Sequence, residues 1–170
     1  AYLQKVAGLR KGDCIAIMLP NILQYPVAIA AALGAGLTIV NTNPLYTPRE
    51  LEHQLKDSGA RAILILENFA HTLQQVIHET GVETVVVTGV GDLLGFPKST
   101  LVNFALRHVK KQVPEYSLPG AIGLNEALSK GKFENLEAVP LTHDDVAFLQ
   151  YTGGTTGVSK GAVLTHRNMV

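Results

Sequence analysis

A glycine- and threonine-rich segment near the end of the chain has the residue types that bind an anion. It consists of Tyr151, Thr152, Gly153, Gly154, Thr155, Thr156, Gly157, Val158, Ser159, Lys160 and Gly161. Glycines allow backbone N–H groups to approach an anion closely, because no Cβ stands in the way. The threonine hydroxyls add donors, and Lys160 adds a charge that can reach outer phosphates. The combination predicts a loop that holds a polyphosphate.

The position of the lysine excludes the commonest phosphate-binding loop. The Walker A pattern requires Gly-Lys followed by Ser or Thr, whereas Lys160 stands between Ser159 and Gly161. The alternative that needs no ligand is a flexible surface loop between two elements. Packing alone does not explain four glycines and three threonines within eleven residues that follow a strand pattern.

The elements that must position this loop alternate along the first ninety residues. Short apolar runs without polar alternation predict buried strands, and stretches with helical spacing lie between them. The predicted strands are 14–19, 37–41, 61–66 and 84–88, and the predicted helices are 21–34, 47–58 and 69–79. Buried strands joined by helices indicate a parallel sheet covered on both faces. We therefore predict an α/β, Rossmann-like, doubly wound fold.

Capping signals define the ends of two of these helices. Asn21 is placed to cap the first, and Gly34 or Gly36 to end it. In the second, Thr47 is followed by Pro48 and Glu50, the pattern of an N-cap with a capping box.

The pattern changes after residue 92, and the chain divides into three predicted parts. Residues 1–92 form a parallel α/β subdomain, and 93–140 a helix over 98–113 with an irregular connection. Residues 141–170 contain a strand over 145–151, the glycine-rich loop and the start of a helix from Leu164. Lys98, Arg107, Lys110 and Lys111 lie on one side of helix 98–113, opposite its apolar residues, which are Val102, Ala105, Leu106, Val109 and Val113.

Composition excludes several classes of protein. Lys plus Arg equals Asp plus Glu at 14 each, so no overall field favours nucleic acid. The apolar region 15–40 is interrupted by prolines and glycines, so we do not expect it to span a membrane, and residues 1–5 do not have the pattern of a signal peptide. Cys14 is interpreted as a small buried strand residue, with a reactive thiol as the alternative. A reducing, cytoplasmic location fits this composition.

The segment 151–161 resembles the phosphate-binding signature of the adenylate-forming superfamily, which includes acyl-CoA synthetases, luciferases and peptide-synthetase adenylation domains. The signature reads Tyr/Thr-Ser/Gly-Gly-Thr-Thr-Gly, two variable residues and Lys-Gly, and a Ser/Thr-His-Arg-Asn helix start follows it, as at 165–168. The resemblance extends over nearly the whole chain, through segments 11–13, 19–21, 34–36, 40–51 and 57–60. Segment 43–51 and the pair Gly153-Gly154 are most similar to bacterial long-chain fatty acid–CoA ligases.

The resemblance implies an activity and its substrates. A long-chain fatty acid would react with ATP, with Mg²⁺ assisting, to give an acyl-adenylate and pyrophosphate, and coenzyme A would then displace AMP. Residues 151–161 would hold the β- and γ-phosphates, and Lys160 would balance charge as pyrophosphate leaves. The family's catalytic lysine and its magnesium-linked glutamate are not among the 170 residues, so no catalytic residue and no metal ligand is assigned. We expect an incomplete part of a larger N-terminal domain, inactive by itself.

Two alternatives to this function stay open. The ligase could activate another carboxylic acid, or these residues alone could be a non-catalytic nucleotide-binding module. Oligomeric state is not predicted from the sequence.

Weaker signals concern partners and single residues. Helix 98–113 is expected to pack on the sheet with a solvated basic face, and contact of this basic amphipathic helix with the cytoplasmic membrane face is the alternative. The six histidines lack zinc spacing, although His166 lies close to the loop. Tyr46 and Arg49 are expected to be structural, and Asp144 and Asp145 to form a turn.

Overall fold

A computed structural model describes residues 1–152 and 159–169, which form one seven-stranded sheet. The strands are β1 (Cys14–Met18), β2 (Thr38–Asn41), β3 (Ala60–Leu66), β4 (Thr84–Thr88), β5 (Ile122–Gly123), β6 (Val146–Thr152) and β7 (Lys160–Thr165). Their order is β5-β4-β3-β1-β2-β6-β7. Strands β1 to β6 pair in parallel, and β7 runs antiparallel to β6. The predicted mostly parallel α/β sheet is confirmed.

Six α-helices and several single turns connect the strands in the described part of the chain. The helices are α1 (Tyr2–Lys5), α2 (Gln24–Gly34), α3 (Pro48–Ser58), α4 (Ala70–Gln74), α5 (Lys98–Phe104) and α6 (Leu124–Gly131). A π-helical turn over Ala105–Val109 continues α5. Short 3₁₀ turns occupy Glu67–Phe69, Ile77–Glu79 and His166–Asn168.

Helices cover both faces of the sheet, as a doubly wound fold requires. Because side chains alternate across a strand, Ile15 and Ile17 of β1 face one core, which contains Ala28 and Ala32 of α2 and Leu124 of α6. Ala16 and Met18 face the second core, which α3 closes with Leu51 and Leu55. The strands are thus buried on both sides, which explains why they read as continuous apolar runs.

Helix α3 begins and ends at the predicted residues. Thr47 accepts from the backbone N–H of Glu50, and the Glu50 carboxylate accepts from Thr47 in return, so the capping box is confirmed. The helix ends at Ser58, where Gly59 adopts a left-handed φ of +62°. This φ is unstrained only for glycine.

The predicted start of the first long helix is wrong. Helix α2 begins at Gln24 after Leu23, without a side-chain cap, rather than at Asn21. A turn bond from the Ile22 amide to the Pro20 carbonyl shapes the segment around Asn21, and the helical bonding starts with Tyr25 donating to Ile22. The helix ends at Gly34, and Gly36 takes a φ of +73°.

Three further elements differ from their predictions. The helix expected over 69–79 is confined to α4 and flanking 3₁₀ turns, because β-branched residues such as Val76 and Ile77 disfavour its continuation. The helix expected over 98–113 ends at Val109. The helix start expected from Leu164 is a strand up to Thr165, because β7 pairs with β6, and only a 3₁₀ turn follows.

The order of the strands places a topological switch point between β1 and β3. From β1 the chain moves to β2 on one side, and then to β3, β4 and β5 on the other. In such sheets ligands bind beside the carboxyl ends of the strands near this reversal. Short strand β5 lies within 93–140, and β6 and β7 extend the sheet beyond β2. The division of the chain at residues 92 and 140 stays a prediction.

Candidate functional site

A polar cleft lies at the carboxyl ends of β1, β2 and β6. Its volume is about 420 Å³. It is lined by Ile17, Leu19, Asn21, Tyr25, Asn41, Thr42, Asn43, Tyr46, Gln150 and Tyr151. The carboxyl edge of a parallel sheet is where α/β proteins bind ligands, and the glycine-rich segment starts at this edge. The cleft is therefore the natural place for a substrate that the loop contacts.

Hydrogen bonds fix the polar side chains of the cleft. The Tyr25 hydroxyl donates to Asn41 Oδ1 at 3.0 Å, and Asn41 Nδ2 donates to Gln150 Oε1 at 3.0 Å. Buried Gln54 of α3 donates to the Asn41 backbone carbonyl at 3.0 Å. This chain of bonds orients the ends of β2 and β6, so the floor of the cleft is preorganised.

The glycine-rich segment is the connection of a β-hairpin. Strand β6 ends at Thr152, β7 begins at Lys160, and these two residues pair directly. Directly paired residues of antiparallel strands project from the same face. The Thr152 hydroxyl and the Lys160 ammonium group are thus on one side at the base of the loop, where both can reach the same anion.

Helix α3 contacts both ends of this loop. The Tyr151 hydroxyl donates to Asp57 Oδ2 at 2.6 Å, and His53 Nε2 lies 3.1 Å from the Ser159 carbonyl oxygen. The Ser159 hydroxyl closes the base by donating to the Thr152 carbonyl at 3.0 Å. The capped, well-packed helix therefore fixes the spacing between the two strands where the loop leaves them.

The Tyr151 side chain is a structural anchor within this arrangement. It is 7% exposed, and burial, together with its bond to the Asp57 carboxylate, raises its pKa well above the usual range. The hydroxyl stays protonated and donates to Asp57 at neutral pH. Gly161 packs under the ring, since a Cβ at this position would lie 3.0 Å from Tyr151 Cε2. A larger residue at 161 would fit only if the Tyr151 ring shifted by a few tenths of an ångström.

Five of the eleven predicted phosphate-binding residues belong to the described part of the chain: Tyr151, Thr152, Ser159, Lys160 and Gly161. The structure brings them together at the base of the hairpin. Gly153, Gly154, Thr155, Thr156, Gly157 and Val158 lie outside the described residues. The assignment of phosphate binding to the segment stays a prediction.

Other residues that the sequence singles out have different positions. Tyr46 lines the cleft. Asp145 lies elsewhere, where its carboxylate accepts hydrogen bonds from Lys11 Nζ at 2.8 Å and from the Thr142 backbone N–H at 2.6 Å. The bond to Lys11 connects the start of β6 to the N-terminal segment. His166 opens the turn after β7. Cys14 lies in β1 as predicted but is half-buried rather than buried, and burial and neighbouring Asp13 raise its pKa, which disfavours the reactive thiolate.

Sequence reasoning missed the residues that shape the cleft and hold the loop. Tyr25, Asn41 and Gln150 form the cleft network, and His53 and Asp57 hold the loop ends. A usable signal exists for Asn41 and Gln150, because each is a polar residue at the carboxyl end of an apolar strand. No such signal marks the contacts of α3, which arise from tertiary packing.

The residues that line the described cleft include no His, Cys, Asp or Glu. Within residues 1–152 and 159–169, no three His, Cys, Asp or Glu side chains come together in a metal-ligand cluster. These residues do not fit a protein-held Mg²⁺, and a magnesium ion here would rely on substrate phosphates for its oxygen ligands.

Comparisons with known proteins give a consistent result. A family profile described as AMP-binding enzyme matches residues 1–170. Long-chain-fatty-acid–CoA ligases of Escherichia coli O157:H7 and Salmonella typhimurium are 58% and 56% identical to the chain over all 170 residues. A Bacillus subtilis protein of that name is 37% identical over 172 aligned residues. The chain spans 30% of the length of each of these relatives.

Solved structures show the same fold. A long-chain-fatty-acid–CoA ligase from Archaeoglobus fulgidus is 31% identical, with a TM-score of 0.64 over 95% of this chain and 26% of its own. An anthranilate CoA ligase in complex with anthranoyl-AMP is 21% identical, with a TM-score of 0.74 over 98% of this chain and 27% of its own. The second likeness concerns the fold alone.

Proposed function

Because the chain belongs to the AMP-binding enzyme family, we propose that the full-length protein, one as long as the curated relatives, is an acid–thiol ligase. It activates a long-chain fatty acid with ATP and transfers the acyl group to coenzyme A. The observation that carries the proposal is the base of the hairpin, where Thr152 and Lys160 project together beside a polar cleft.

The first half-reaction requires the hairpin loop to stabilise negative charge on the phosphates of ATP. A fatty-acid carboxylate oxygen attacks the α-phosphorus of ATP, a new O–P bond forms, and the bond to the β-phosphate oxygen breaks to release pyrophosphate. Charge accumulates on the departing oxygens. In this proposal Lys160 and the Thr152 hydroxyl stabilise that charge, since groups aimed at developing charge lower such a barrier.

The second half-reaction needs no protein nucleophile. The coenzyme A sulfur attacks the acyl carbonyl carbon of the adenylate, a C–S bond forms, the C–O bond to AMP breaks, and the thiol loses its proton. Mg²⁺, where it takes part, would neutralise the phosphates of bound ATP.

The identity of the carboxylic acid, a long-chain fatty acid, is the more specific part of the proposal. It is supported by relatives of 55–58% identity that are named long-chain-fatty-acid–CoA ligases. The alternative is a ligase for another carboxylic acid. For the 170 residues alone, a nucleotide-binding module without catalysis is the expected behaviour, because they span 30% of those relatives.

Acid-dependent exchange of labelled pyrophosphate into ATP tests the proposal in the full-length protein. We expect palmitate or oleate to support exchange at a higher kcat/KM than acetate or benzoate. Preference for acetate or benzoate would overturn the long-chain assignment, and the absence of exchange with any acid would overturn the ligase proposal. The 170-residue chain should form no acyl-CoA, and turnover by it would contradict its expected inactivity.

We also propose that the segment around α5 contacts an anionic bilayer. Val102, Ala105 and Leu106 are half-buried, in line with the predicted packed face. Val109, predicted on that face, is 72% exposed, and it joins Leu101 and Phe104, which are 65% and 58% exposed. Exposed apolar side chains beside Lys98 and Lys110 suit a negatively charged lipid surface. In the described residues, no helix has both the length and the apolar character needed to cross a bilayer.

Vesicle flotation tests this contact. A protein with Leu101→Ser, Phe104→Ser and Lys110→Glu should bind phosphatidylglycerol vesicles at least about tenfold more weakly than the wild type, since both apolar burial and charge attraction are lost. Lys132→Glu, an exposed lysine after α6, is the matched charge control. Equal binding of the wild type and the triple variant would refute the membrane proposal and leave packing with a solvated face as the explanation.

A further inference from the structure

His53 of α3 contacts the backbone directly before Lys160. Its Nε2 atom lies 3.1 Å from the Ser159 carbonyl oxygen. A carbonyl oxygen only accepts hydrogen bonds, so Nε2 carries a proton and donates it to this bond. The two residues are 106 positions apart in the sequence, so the contact is a product of the tertiary fold.

The bond from His53 orients the peptide group that joins Ser159 to Lys160. Because a peptide group is planar, a partner on the Ser159 carbonyl oxygen also fixes the plane that contains the Lys160 amide nitrogen and Cα. On the other side, the Ser159 hydroxyl donates to the Thr152 carbonyl at 3.0 Å, and Lys160 pairs with Thr152. The first residue of β7 is therefore held from two sides.

Helix α3 makes this contact from the face of the sheet opposite to the Lys160 side chain. Tyr151 of β6 belongs to the core that α3 closes. Side chains alternate along a strand, so Thr152 and its direct partner Lys160 project from the other face. His53 therefore acts on Lys160 through the backbone and leaves the anion-binding face open.

Few other contacts restrain the loop end of β7, which comprises 159–161. Strand β7 is the last in the order of the sheet and pairs with β6 alone. The ion pair between Arg167 and Asp144 lies beyond the opposite end of the strand. Within residues 1–152 and 159–169, the bond from His53 is the one hydrogen bond that reaches 159–161 from outside the hairpin.

Helix α3 is a rigid support for this bond. Leu51 and Leu55 are fully buried, and the capping box fixes the start of the helix. Gln54, next to His53, is also buried and donates to the Asn41 carbonyl at the end of β2. Side chains on a packed helix hold a site more precisely than side chains on a loop.

We propose that His53 is a positioning residue for Lys160 in the activation of the acid. By holding the Ser159 carbonyl, it directs the Lys160 ammonium group towards the charge that builds on the departing pyrophosphate. Such a group is most effective when it is held in place before the reaction. This inference rests on the proposed function and adds to it a residue that contacts neither ATP nor the acid.

Two substitutions of similar shape separate the hydrogen bond from packing. In His53→Gln the amide nitrogen lies as many bonds from Cβ as Nε2 of histidine, so a donor is kept. His53→Met has a similar length and no donor, and both residues favour a helix. His78→Met changes an exposed histidine in the turn Ile77–Glu79 and is the control for loss of an imidazole. His53→Ala replaces His53→Met if that variant does not fold.

Pyrophosphate binding provides a readout that does not depend on turnover. In isothermal titration of the full-length protein with pyrophosphate, we expect His53→Met to weaken the affinity about tenfold, because Lys160 is no longer directed at the anion. His53→Gln should stay within about twofold of the wild type, and His78→Met should not differ from it. Equal affinities of the Met and Gln variants at 53 would overturn the inference, as would a wild type that does not bind pyrophosphate.

Palmitate-dependent exchange of pyrophosphate into ATP tests whether His53 acts through Lys160. His53→Met should lower kcat about tenfold and leave the KM for palmitate unchanged, because the bond acts on phosphate charge. In a Lys160→Met background the same change should lower kcat less than about twofold, since the group that it positions is gone. A second tenfold loss in that background would indicate general structural damage and contradict the positioning role.

The two proposals can fail separately. If the wild type catalyses no acid-dependent exchange, the ligase proposal fails, while the pyrophosphate titration still decides whether His53 directs Lys160 at an anion. If exchange by the wild type is normal but His53→Met keeps its kcat and its affinity for pyrophosphate, the positioning inference fails alone.

Discussion

Replacing Tyr151 by phenylalanine removes one hydroxyl group and tests whether α3 holds the hairpin that carries the glycine-rich loop. The hydroxyl donates to the charged Asp57 carboxylate at 2.6 Å. A hydrogen bond to a charged group contributes about 1.5–3 kcal/mol to the free energy of unfolding. Because Asp57 is exposed, we expect the Tyr151–Asp57 bond to contribute about 1.5 kcal/mol, the lower end of this range. That free energy corresponds to about a tenfold change in the folded-to-unfolded ratio.

A double-mutant cycle with Asp57→Asn isolates the pair from other effects. We expect each single variant to lower the free energy of unfolding by about 1–1.5 kcal/mol, and the double variant to lose little more, which leaves a coupling energy of about 1 kcal/mol. Urea denaturation of the 170-residue chain measures these values, and an unchanged m-value confirms that the unfolding transition is comparable.

The high Tyr151 pKa adds a pH dependence with a defined sign. The folded state raises the pKa above the ordinary value of 10.0. The contribution is therefore fully present below pH 10 and is lost as the pH rises above it, because the unfolded chain releases the proton first. The stability difference between the wild type and Tyr151→Phe should shrink above that pH. Additive single effects, or a difference that stays constant above pH 10, would refute the role of the Tyr151–Asp57 bond.

Three further predictions concern stability. Gly161→Ala should lower the free energy of unfolding by about 1–2 kcal/mol in a urea titration, since the new Cβ meets an anchored Tyr151 ring; an equally stable variant would show that the ring can move. Thr47→Ala should cost about 1 kcal/mol by the same measurement through loss of the α3 cap, and no loss would contradict the capping box. Asp145 has its pKa lowered to about 2 by Lys11 and Thr142, so its contribution is present above the ordinary value of 3.8 and is lost as the pH falls towards 2. The melting temperature of Asp145→Asn should therefore approach that of the wild type between pH 4 and 2, and a constant gap there would refute the assignment.

The parallel sheet could be predicted because its strands are buried on both faces. Runs such as 61–66 and 84–88 have the β-branched and aliphatic composition of interior strands, and the structure places them within a residue of the predicted bounds. The capping box at Thr47 was equally readable, because its signal is local. A structural feature that depends only on residues close in sequence can therefore be predicted from the sequence pattern alone.

Predictions failed where tertiary contacts decide the conformation. The segment from Lys160 to Thr165 is a strand because it pairs with β6, and glycine-rich neighbours give no sign of that pairing. Strand β5 has two residues, too few for any periodicity. Val109 fits the apolar face of a straight α-helix, but the π-helical turn alters the helical spacing, and Val109 is exposed.

The candidate site also has residues that the sequence predicts and residues that it does not. The glycines, threonines and lysine of 151–161 indicate anion binding because their chemistry is unusual in combination. The cleft network of Tyr25, Asn41 and Gln150 is spread over more than a hundred residues of sequence, so only the sheet topology brings it together. The contact between His53 and Ser159 joins residues 106 positions apart, which no local pattern connects.

The central claim is that Thr152 and Lys160 hold the phosphates of ATP while the acid is activated. Palmitate-dependent exchange of pyrophosphate into ATP, measured for the full-length protein with Thr152→Val and Lys160→Met, tests it most directly, with Lys132→Met as the charge control. We predict an exchange rate at least about a hundredfold below that of the wild type, with a normal rate for the control. An unchanged rate in the double variant would contradict the claim.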